Sequence, residues 1–498
     1  MYGGNMKSTS IIALMASAGV ILGSATASAA DLGGNCCADL EERVAELEAT
    51  TARKGNRKVS LQISGQVSEA IMWWNDGAES NTYVVENYLV KNRLAFSGNA
   101  KINSDWSAGF RLEIGIRAYR SSSVNQLALG ASQTTTITAF NTQSVSLRQA
   151  NWWIQSNTYG RISVGRDTDA VNGISSINLA NPDGFSGLTG PGYANNSFLL
   201  RRSGTTGSGT NALSSLTWGD AANFRNGDGP SSMGYSETSS GIKYTSPFFL
   251  GQSKSSGFRI DTTWGMDDMW AVGLRYAETL GGFRVAAGVG YSQWNGPDRG
   301  MCSQGANNVA ITATTTTSTV DCTSIQASAS LMHVPTGLYI TGGGGQINDK
   351  NSQAAYDAAS GLAFGTRRPG DDGKSGTWYV QAGWQAKLNT LGNTTFWGQM
   401  VQYDTGLGVK NSVVQTLAGT DALNSLNVTA LISGSQTRYW GAGVSQEISA
   451  AAMILYAGFH TGSTEVMLRN ASTAGAQTAK ARPIDDWQTF YTGATIRF

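Results

Sequence analysis

The sequence has 498 residues, of which 14% are charged and 40% are hydrophobic, and its formal net charge is +1. A charge this balanced gives no indication of a nucleic-acid partner or of a strongly acidic one. Glycine is abundant at 62 residues, the 8 prolines are few, and the 14 Trp and 17 Tyr are plentiful. The composition fits a large exported β-protein, either a secreted sandwich, solenoid or adhesin, or a barrel with aromatic residues at membrane interfaces.

The beginning of the chain has the pattern of an export signal. Lys7 precedes an apolar run over residues 11–22, and a stretch of small residues follows it. We expect cleavage after Ala29 or Ala30, so that residues 1–29 form a signal peptide. No later segment approaches the roughly 18 consecutive apolar residues that a membrane-spanning helix needs. A membrane location would therefore require a barrel of strands.

A short helix is predicted between the signal and the first strand. Leu40, Val44 and Leu47 have the spacing of a coiled-coil seam, and Arg43 and Glu48 are placed to form an ion pair between chains. The stretch contains only about two heptads, so it is marginal as an isolated helix. The seam favours a coiled coil between chains that are already held together by another contact. The alternative is an amphipathic helix packed on its own chain.

The four cysteines form two pairs in the sequence. Cys302 and Cys322 flank a Thr- and Asn-rich stretch, and in an exported chain they predict a disulfide that closes a loop. Cys36 and Cys37 are adjacent, so a bond between them would be strained. Pairing between different chains is the more plausible arrangement for this second pair.

The rest of the chain predicts sixteen strands joined by short and long connections in alternation. Within 106–116, Phe110 and Leu112 lie on one face while Arg111 and Glu113 lie on the other. The same alternation runs through 270–276, 283–291 and 378–388. In a soluble sandwich the charges would face outward. A repeated apolar face with aromatic residues near its ends instead predicts a closed wall in lipid, with charges facing a wet lumen.

The longest connection covers about residues 168–236. It is rich in Gly, Asn and Ser, yet it contains apolar residues such as Phe185 and Phe198. A connection of this length without regular structure is either functional or disordered. The apolar residues favour a functional loop that folds inward and narrows the lumen.

Charged side chains on the predicted lumen faces define a candidate constriction. Its basic members are Lys91, Arg93, Arg111, Arg117 and Arg148. Its acidic members, at the start and middle of the inward loop, are Asp167, Asp169 and Asp183. Further charges expected to line the lumen are Glu113, Arg259, Arg275, Arg284 and Lys387. Opposed rows of charge select solutes by sign, whereas in the alternative interpretation these residues only solvate a wide lumen.

Three functional classes other than a general pore can be compared with this pattern. The two histidines, His333 and His460, have no nucleophile–base spacing around them, and no phosphate loop or metal cluster appears, so we expect neither an enzyme nor a cofactor. A substrate-specific channel remains the nearest alternative. A trimeric surface adhesin is less favoured, because strands rather than a stalk dominate the chain.

Four segments carry a resemblance to a known family. Residues 36–48 (CCADLEERVAELE) and 59–67 (VSLQISGQV) resemble the start of the general porins of alphaproteobacterial outer membranes. Residues 101–109 (KINSDWSAG) and 160–166 (GRISVGR) are similar to the same family, as is the terminal Phe498. The resemblance implies a sixteen-stranded barrel whose third external loop folds into the pore and which passes small hydrophilic solutes.

The resemblance also implies a homotrimer. The other expected partners are outer-membrane lipid and lipopolysaccharide, and the short helix is a candidate for contact with peptidoglycan. We therefore predict an all-β protein, a transmembrane antiparallel barrel of about 16 strands. Its parts are a signal peptide (1–29), a periplasmic helical segment (30–57) and the barrel (58–498), with the inward loop at about 168–236. The basic residues favour a mild anion preference, which the loop acids would oppose.

Overall fold

The structure is a computed structural model. It describes residues 59–116, 119–127, 145–201, 213–222, 239–265, 269–296, 320–349, 374–405, 415–417, 428–470 and 480–498. Three predictions lie outside the described residues: the signal peptide, the coiled-coil seam and Arg117. The predicted disulfide depends on Cys302 and on the side chain of Cys322, which are also outside the description. All the described residues belong to the unit that begins at residue 58.

Sixteen antiparallel strands form a closed wall. They are β1 (Ser60–Asn75), β3 (Arg93–Lys101), β4 (Trp106–Ile116), β5 (Val145–Ser156), β6 (Gly160–Asp167), β9 (Ser239–Thr245), β10 (Gly257–Gly265), β11 (Met269–Leu280), β12 (Phe283–Gly296), β13 (Val320–His333), β14 (Leu338–Asp349), β15 (Lys374–Ala386), β16 (Thr394–Thr405), β18 (Val428–Ile448), β19 (Met453–Asn470) and β21 (Trp487–Arg497). Strand β1 pairs with β3 on one side and with β21 on the other, which closes the wall. The predicted sixteen-stranded barrel is thereby confirmed.

Shorter elements complete the described part of the chain. Three strands extend the wall at the end where the long connections lie: β2 (Ser80–Glu86), β17 (Gln415–Leu417) and β20 (Lys480–Pro483). A separate pair is formed by β7 (Leu199–Arg201) and β8 (Leu213–Thr217), beside the helices α1 (Gly190–Asn195) and α2 (Trp218–Ala221). Single 3₁₀ turns lie at Ser121–Ser123, Ile174–Ser176 and Ser449–Ala451. Among the described residues, none of the helices has the length and apolar character to cross a membrane.

The two faces of the wall differ as the alternation of the sequence predicts. On β4, Phe110 and Leu112 are exposed on the outside, whereas Glu113 is buried on the inside. On β15, Trp378 is exposed on the outside and Tyr379 is buried on the inside. Because a pleated strand turns successive side chains to opposite faces, period-two alternation produces this two-sided wall.

Several strands continue farther than the sequence predicted. Strand β14 reaches Asp349 and β19 reaches Asn470, although long connections were expected from about residues 343 and 461. Strand β18 begins at Val428, within a stretch predicted as loop up to 436. In the sequence these extensions are rich in Gly, Ser and Thr and show no sustained apolar alternation. Ladder hydrogen bonds to the neighbouring strand are sufficient to continue them.

A bulge explains an irregularity in β5. The pairing of β4 with β5 shifts register at Glu113, so that Arg148 is an extra residue between two paired positions. Before the bulge, odd-numbered residues such as Leu147 point outward. After the bulge, even-numbered residues such as Trp152 point outward. The adjacent Trp153 then faces inward. The bulge thereby turns Arg148 toward the lumen.

Gly65 and Phe498 join the two ends of the wall. They exchange two backbone hydrogen bonds, of 2.7 and 3.0 Å, and the Phe498 ring lies over Gly65. A Cβ atom at position 65 would lie 2.6 Å from Cζ of that ring. The closure of the barrel therefore depends on the absence of a side chain at Gly65.

Replacing Gly65 with valine should destabilise this closure. The new side chain must displace the Phe498 ring, and overpacking of this kind costs about 1–3 kcal/mol. We expect a lower temperature for conversion of the folded band to the unfolded band in semi-native electrophoresis. Gly398→Val is the matched control, because the nearest atom to its new Cβ is 4.0 Å away. Equal conversion temperatures for the two variants would contradict the role assigned to Gly65.

Candidate channel constriction

One half of the inner wall carries buried aromatic side chains. They come from β14 to β21 and comprise Tyr339, Tyr379, Trp397, Tyr403, Tyr439, Tyr456, Trp487 and Tyr491. The sequence analysis did not find this row, because it treated the face opposite the apolar one as simply polar. The segment that follows β6, residues 168–201, covers the row from the inside and is called the inner segment below.

Aromatic packing fixes the inner segment to this half of the wall. The Phe185 ring meets the Tyr491 ring edge-on, with centroids 4.8 Å apart. Phe198 packs in the same way on Trp74, at 5.1 Å, and also contacts Trp487, at 5.7 Å. Such edge-to-face pairs are favourable beyond the area they bury. The inner segment is therefore docked on the wall through a hydrophobic core.

Hydrogen bonds hold an earlier part of the inner segment along β13. The backbone N–H of Ile177 donates to Ser328 Oγ, and that of Leu179 donates to Ser330 Oγ, both at 3.1 Å. Alternate residues on the segment thus pair with alternate side chains on the strand. The side chains replace the backbone ladder that a wall strand would supply, so the buried amides remain satisfied.

Glycines on the inner face leave the space that this part of the segment occupies. A Cβ atom at Gly273 would lie 2.5 Å from the carbonyl oxygen of Ala170. At Gly343 it would lie 2.7 Å from the carbonyl oxygen of Ser175. The backbone of the inner segment can therefore approach the wall only where side chains are absent.

The other half of the inner wall holds a cluster of three arginines around one carboxylate. Glu113 is 1% exposed, and Arg148 Nε donates to its Oε1 at 2.7 Å while Arg111 binds its Oε2. A third guanidinium, that of Arg93, lies 3.6 Å from Oε1 and remains 34% exposed. Gly115 gives Arg148 room to cross, since a Cβ there would lie 3.0 Å from its Cδ. The cluster brings three predicted constriction residues together.

Lys91 reaches the same region by a different route from the one predicted. The sequence suggested that Lys91 and Arg93 share one face of a strand, but the wall is interrupted at 87–92, between β2 and β3. Side chains replace the missing ladder there: Gln66 Nε2 donates to the carbonyl of Lys91 at 2.9 Å, and the Ser68 N–H donates to Asn92 Oδ1 at 2.7 Å. Lys91 has a φ of 64° and places its ammonium 4.7 Å from the centre of the Tyr88 ring.

Asp183 joins the inner segment to the last strand. Its two carboxylate oxygens accept hydrogen bonds from Arg497 Nη2, at 3.0 and 2.9 Å. Burial raises the pKa of the Asp183 carboxyl, and the nearby Arg497 guanidinium opposes this rise. The predicted loop acid is thus engaged by a cation on the wall that the sequence analysis did not select.

A second charged cluster lies where the inner segment leaves β6. Asp261 is buried between two predicted lumen residues, accepting from Arg259 Nη2 at 3.2 Å and from Arg275 Nε at 3.1 Å. Arg275 Nη2 also donates to the carbonyl of Asn172 at 2.6 Å. Arg259 and Arg275 therefore belong to this cluster, and Arg275 holds the inner segment rather than lining open space.

The remaining predicted residues occupy separate positions. Asp167, at the end of β6, accepts a hydrogen bond from Ser163 at 2.7 Å. Arg284 is exposed near the start of β12, and Lys387 is exposed one residue after the end of β15, where a longer strand was predicted. Arg284 and Lys387 do not join either cluster.

Asp169 lies in the inner segment, outside the wall strands, and is almost completely buried. Its Oδ1 accepts from the N–H of Val171 at 3.0 Å, while its Oδ2 has no hydrogen-bond partner among the described residues. Burial raises the pKa of this carboxyl to about 8, although Lys243 and Arg275 favour the charged form. Asp169 is therefore poised to lose its proton in mildly alkaline solution.

This raised pKa predicts a pH dependence of stability. The pKa of Asp169 in the folded protein is about 8, above the ordinary value of 3.8. The protonated carboxyl therefore contributes fully to the free energy of unfolding below pH 3.8, and this contribution is lost as the pH rises toward about 8. We expect the thermal unfolding midpoint of the wild type to fall across this range relative to that of Asp169→Asn. Parallel pH profiles for the two proteins would show that Asp169 does not titrate in this way.

A cavity of about 400 Å³ lies between the arginine cluster and the inner segment. Of the charged side chains in the described part of the chain that line it, Lys91, Arg93, Arg148 and Arg497 are basic and Asp183 is acidic. Asn178 and Ser186 of the inner segment also line it. Among the described residues, no group of three His, Cys, Asp or Glu side chains is arranged to hold a metal ion. The arrangement can attract and orient ions.

The outward apolar face, the closed antiparallel wall and the polar interior together define a membrane-spanning β-barrel. No family model matches the sequence, and no curated protein sequence matches it either. Among solved structures, the chain is similar to the anion-selective porin from Comamonas acidovorans, with 14% identity, 88% of this chain and 100% of that chain covered, and a TM-score of 0.47.

Two further solved structures are similar in the same way. A loop L8 deletion mutant of OmpT, an outer membrane protein of Vibrio cholerae, has 11% identity over 89% of this chain and 100% of that chain, with a TM-score of 0.45. OmpF of Salmonella typhi, in complex with daunomycin, has 13% identity over 89% of this chain and 98% of that chain, with a TM-score of 0.44. All three values lie below 0.5, so the functional proposal rests on the residues of this chain.

Proposed function

We propose that this protein is an outer-membrane channel through which small hydrophilic solutes and ions diffuse passively. The observation that carries the proposal is the cavity lined by charged and amide side chains inside a barrel whose outer face is apolar. Lipid can solvate only the outer face, and the inner face must be hydrated wherever the inner segment does not cover it. A transport role follows directly, without any catalytic step.

The lining of the cavity supports a mild preference for anions. Four basic side chains and one acidic side chain line it among the described residues. The acidic member, Asp183, is bound by Arg497, and Asp169 is buried within the inner segment and does not line the cavity. A charged lining selects ions by sign. We therefore expect that Asp169 and Asp183 do not reverse the effect of the basic wall.

A substrate-specific channel is less well supported. A sugar channel requires aromatic rings exposed along the path of the solute. Here the inner aromatic rings are covered by the inner segment; Tyr439 and Tyr491, for example, are completely buried. They stabilise the docking of the segment, and among the described aromatic residues only Tyr193 and Tyr379 line the cavity.

We further propose a homotrimer of the general porin type found in alphaproteobacterial outer membranes. The seam around Val44 and the resemblance of residues 36–48 and 59–67 support the assembly. Glu69 supports it as well: it lies on the outward face between Val67 and Ile71 and accepts a hydrogen bond from Asn92 at 2.8 Å. A carboxyl group is costly on a lipid-facing surface, and a subunit contact would remove that cost.

Membrane partners complete the proposal. We propose that the remaining outer face contacts lipid and lipopolysaccharide, and that the sequence predicted as a periplasmic helix (30–57) supplies a contact to peptidoglycan. Chemical cross-linking of the purified protein tests the assembly, since it should give a ladder that ends at three chains. A monomer at every cross-linker concentration would contradict the trimer.

Liposome swelling tests the passive-diffusion proposal. We expect swelling rates for uncharged sugars to fall steadily with molecular size and to show no saturation. A single sugar that passes much faster than smaller ones would instead indicate a substrate-specific channel. Absence of swelling with the smallest solute would contradict a channel of either kind.

A further inference from the structure

We infer that the cavity is a saturable binding site for small oxyanions, namely carboxylates and phosphate, and that these solutes pause there during passage. The inference rests on the proposed channel function and adds the class of solute to it. Its basis is the arrangement of guanidinium groups at the cavity rather than the net charge of the lumen alone.

The chain itself shows that these arginines are arranged to bind carboxylates. The carboxylate of Asp183 takes two hydrogen bonds from one guanidinium, that of Arg497. The carboxylate of Glu113 is bound by Arg148 and Arg111 and lies near Arg93. Guanidinium groups bind carboxylates and phosphates through paired, charge-assisted hydrogen bonds, whereas a halide ion offers a single centre.

Two of the guanidinium-bearing residues flank one position of the wall. Gln66 on β1 is paired with Arg93 on β3 and with Arg497 on β21, so the two arginines lie two strand spacings apart. This separation is about 10 Å between backbones. Both side chains line the cavity and are partly exposed. A small dianion between them can contact both, so it should be held more tightly than a monoanion.

The opposite side of the cavity does not repel an anion. It is formed by the inner segment, which contributes Ser176, Asn178, Asn181 and Ser186 to the lining. Asp183 is the one acidic residue among the described lining residues, and it is bound by Arg497. The basic wall therefore faces a mostly uncharged polar surface, whose one acid among the described lining residues is already paired with Arg497.

Succinate in a planar-bilayer measurement tests this inference. Chloride current through the wild-type channel is recorded while succinate, and in a separate series inorganic phosphate, is added at constant ionic strength. We expect saturable reduction of the current by both probes, with succinate effective at the lower concentration. Binding of this kind lengthens the stay of the oxyanion and thereby slows the passage of chloride.

Two variants and a control locate the site. Arg93→Gln should weaken the succinate effect by roughly threefold to tenfold, because one charged hydrogen-bonding group is lost. Its contact with Glu113 is the longest of the three, so Glu113 keeps its two closer arginines. Glu113→Gln should strengthen the effect, since it removes the competing carboxylate. Lys254→Gln, exposed in the turn between β9 and β10, removes the same charge away from the cavity and should change nothing.

The outcomes separate this inference from the channel proposal. A channel that conducts chloride but is unaffected by succinate and phosphate would overturn the oxyanion site and leave the channel intact. Equal changes for Arg93→Gln and Lys254→Gln would also overturn it, by showing that only overall charge matters. Absence of any conductance from folded protein would contradict the channel itself.

Discussion

Replacing Glu113 with glutamine is expected to raise the ratio of anion to cation permeability, and replacing Arg93 with glutamine is expected to lower it. The two residues belong to one cluster, so the substitutions remove opposite charges from nearly the same place. A unit charge about 5 Å from the ion path in water changes the energy of an ion by about 0.8 kcal/mol, and salt reduces this further. The ratio should therefore change by about twofold to fourfold in each direction.

Reversal potentials under a salt gradient measure both changes. Each variant is first checked for folding by its thermal conversion in semi-native electrophoresis, because Glu113 is buried among the three arginines. Lys254→Gln again serves as the control for charge removed elsewhere. A change of the same sign for Glu113→Gln and Arg93→Gln would show that the cluster does not set the selectivity.

Releasing the inner segment from the wall is expected to increase the single-channel conductance severalfold. Phe185 and Phe198 are completely buried against aromatic residues of β1 and β21. Loss of one such side chain costs about 3–5 kcal/mol, and burial of a carboxylate in its place costs more. The double variant Phe185→Asp with Phe198→Asp should therefore undock the segment and widen the lumen.

The matched control for this variant keeps the two positions apolar. Phe185→Leu with Phe198→Leu reduces the packing but retains the hydrophobic contact, so the conductance should stay near that of the wild type. Protease sensitivity of the inner segment reports directly whether it has left the wall. If the segment becomes sensitive while the conductance is unchanged, it does not form the constriction.

The alternation along the strands was sufficient to predict the barrel. In β4 and β15 the apolar and polar positions alternate without a break, and the structure places the two sets on opposite faces. Arg93 and Arg111 could likewise be selected, because charges opposite an apolar face must point inward. Local period-two patterning thus carries the information needed for the fold.

The remaining features depend on contacts between residues distant in sequence. The break at 87–92 is stabilised by Gln66 and Ser68 on another strand. The position of Lys91 in the local alternating pattern therefore could not reveal the break. The engagement of Glu113 by Arg148 requires a bulge that appears only when β4 pairs with β5. One signal was visible but was not used: Tyr379, Tyr456 and Tyr491 lie on polar faces of their strands, which indicates an inner surface to be covered.

The most direct test of the channel account is the conductance of the purified wild-type protein in a planar bilayer under a salt gradient. The account predicts ohmic steps that appear in groups of three, and a reversal potential whose sign shows modest anion preference. A reversal potential whose sign shows cation preference would contradict the role assigned to the basic lining. Absence of conductance, or a small conductance blocked by one uncharged solute at low concentration, would contradict the proposal of a general diffusion channel.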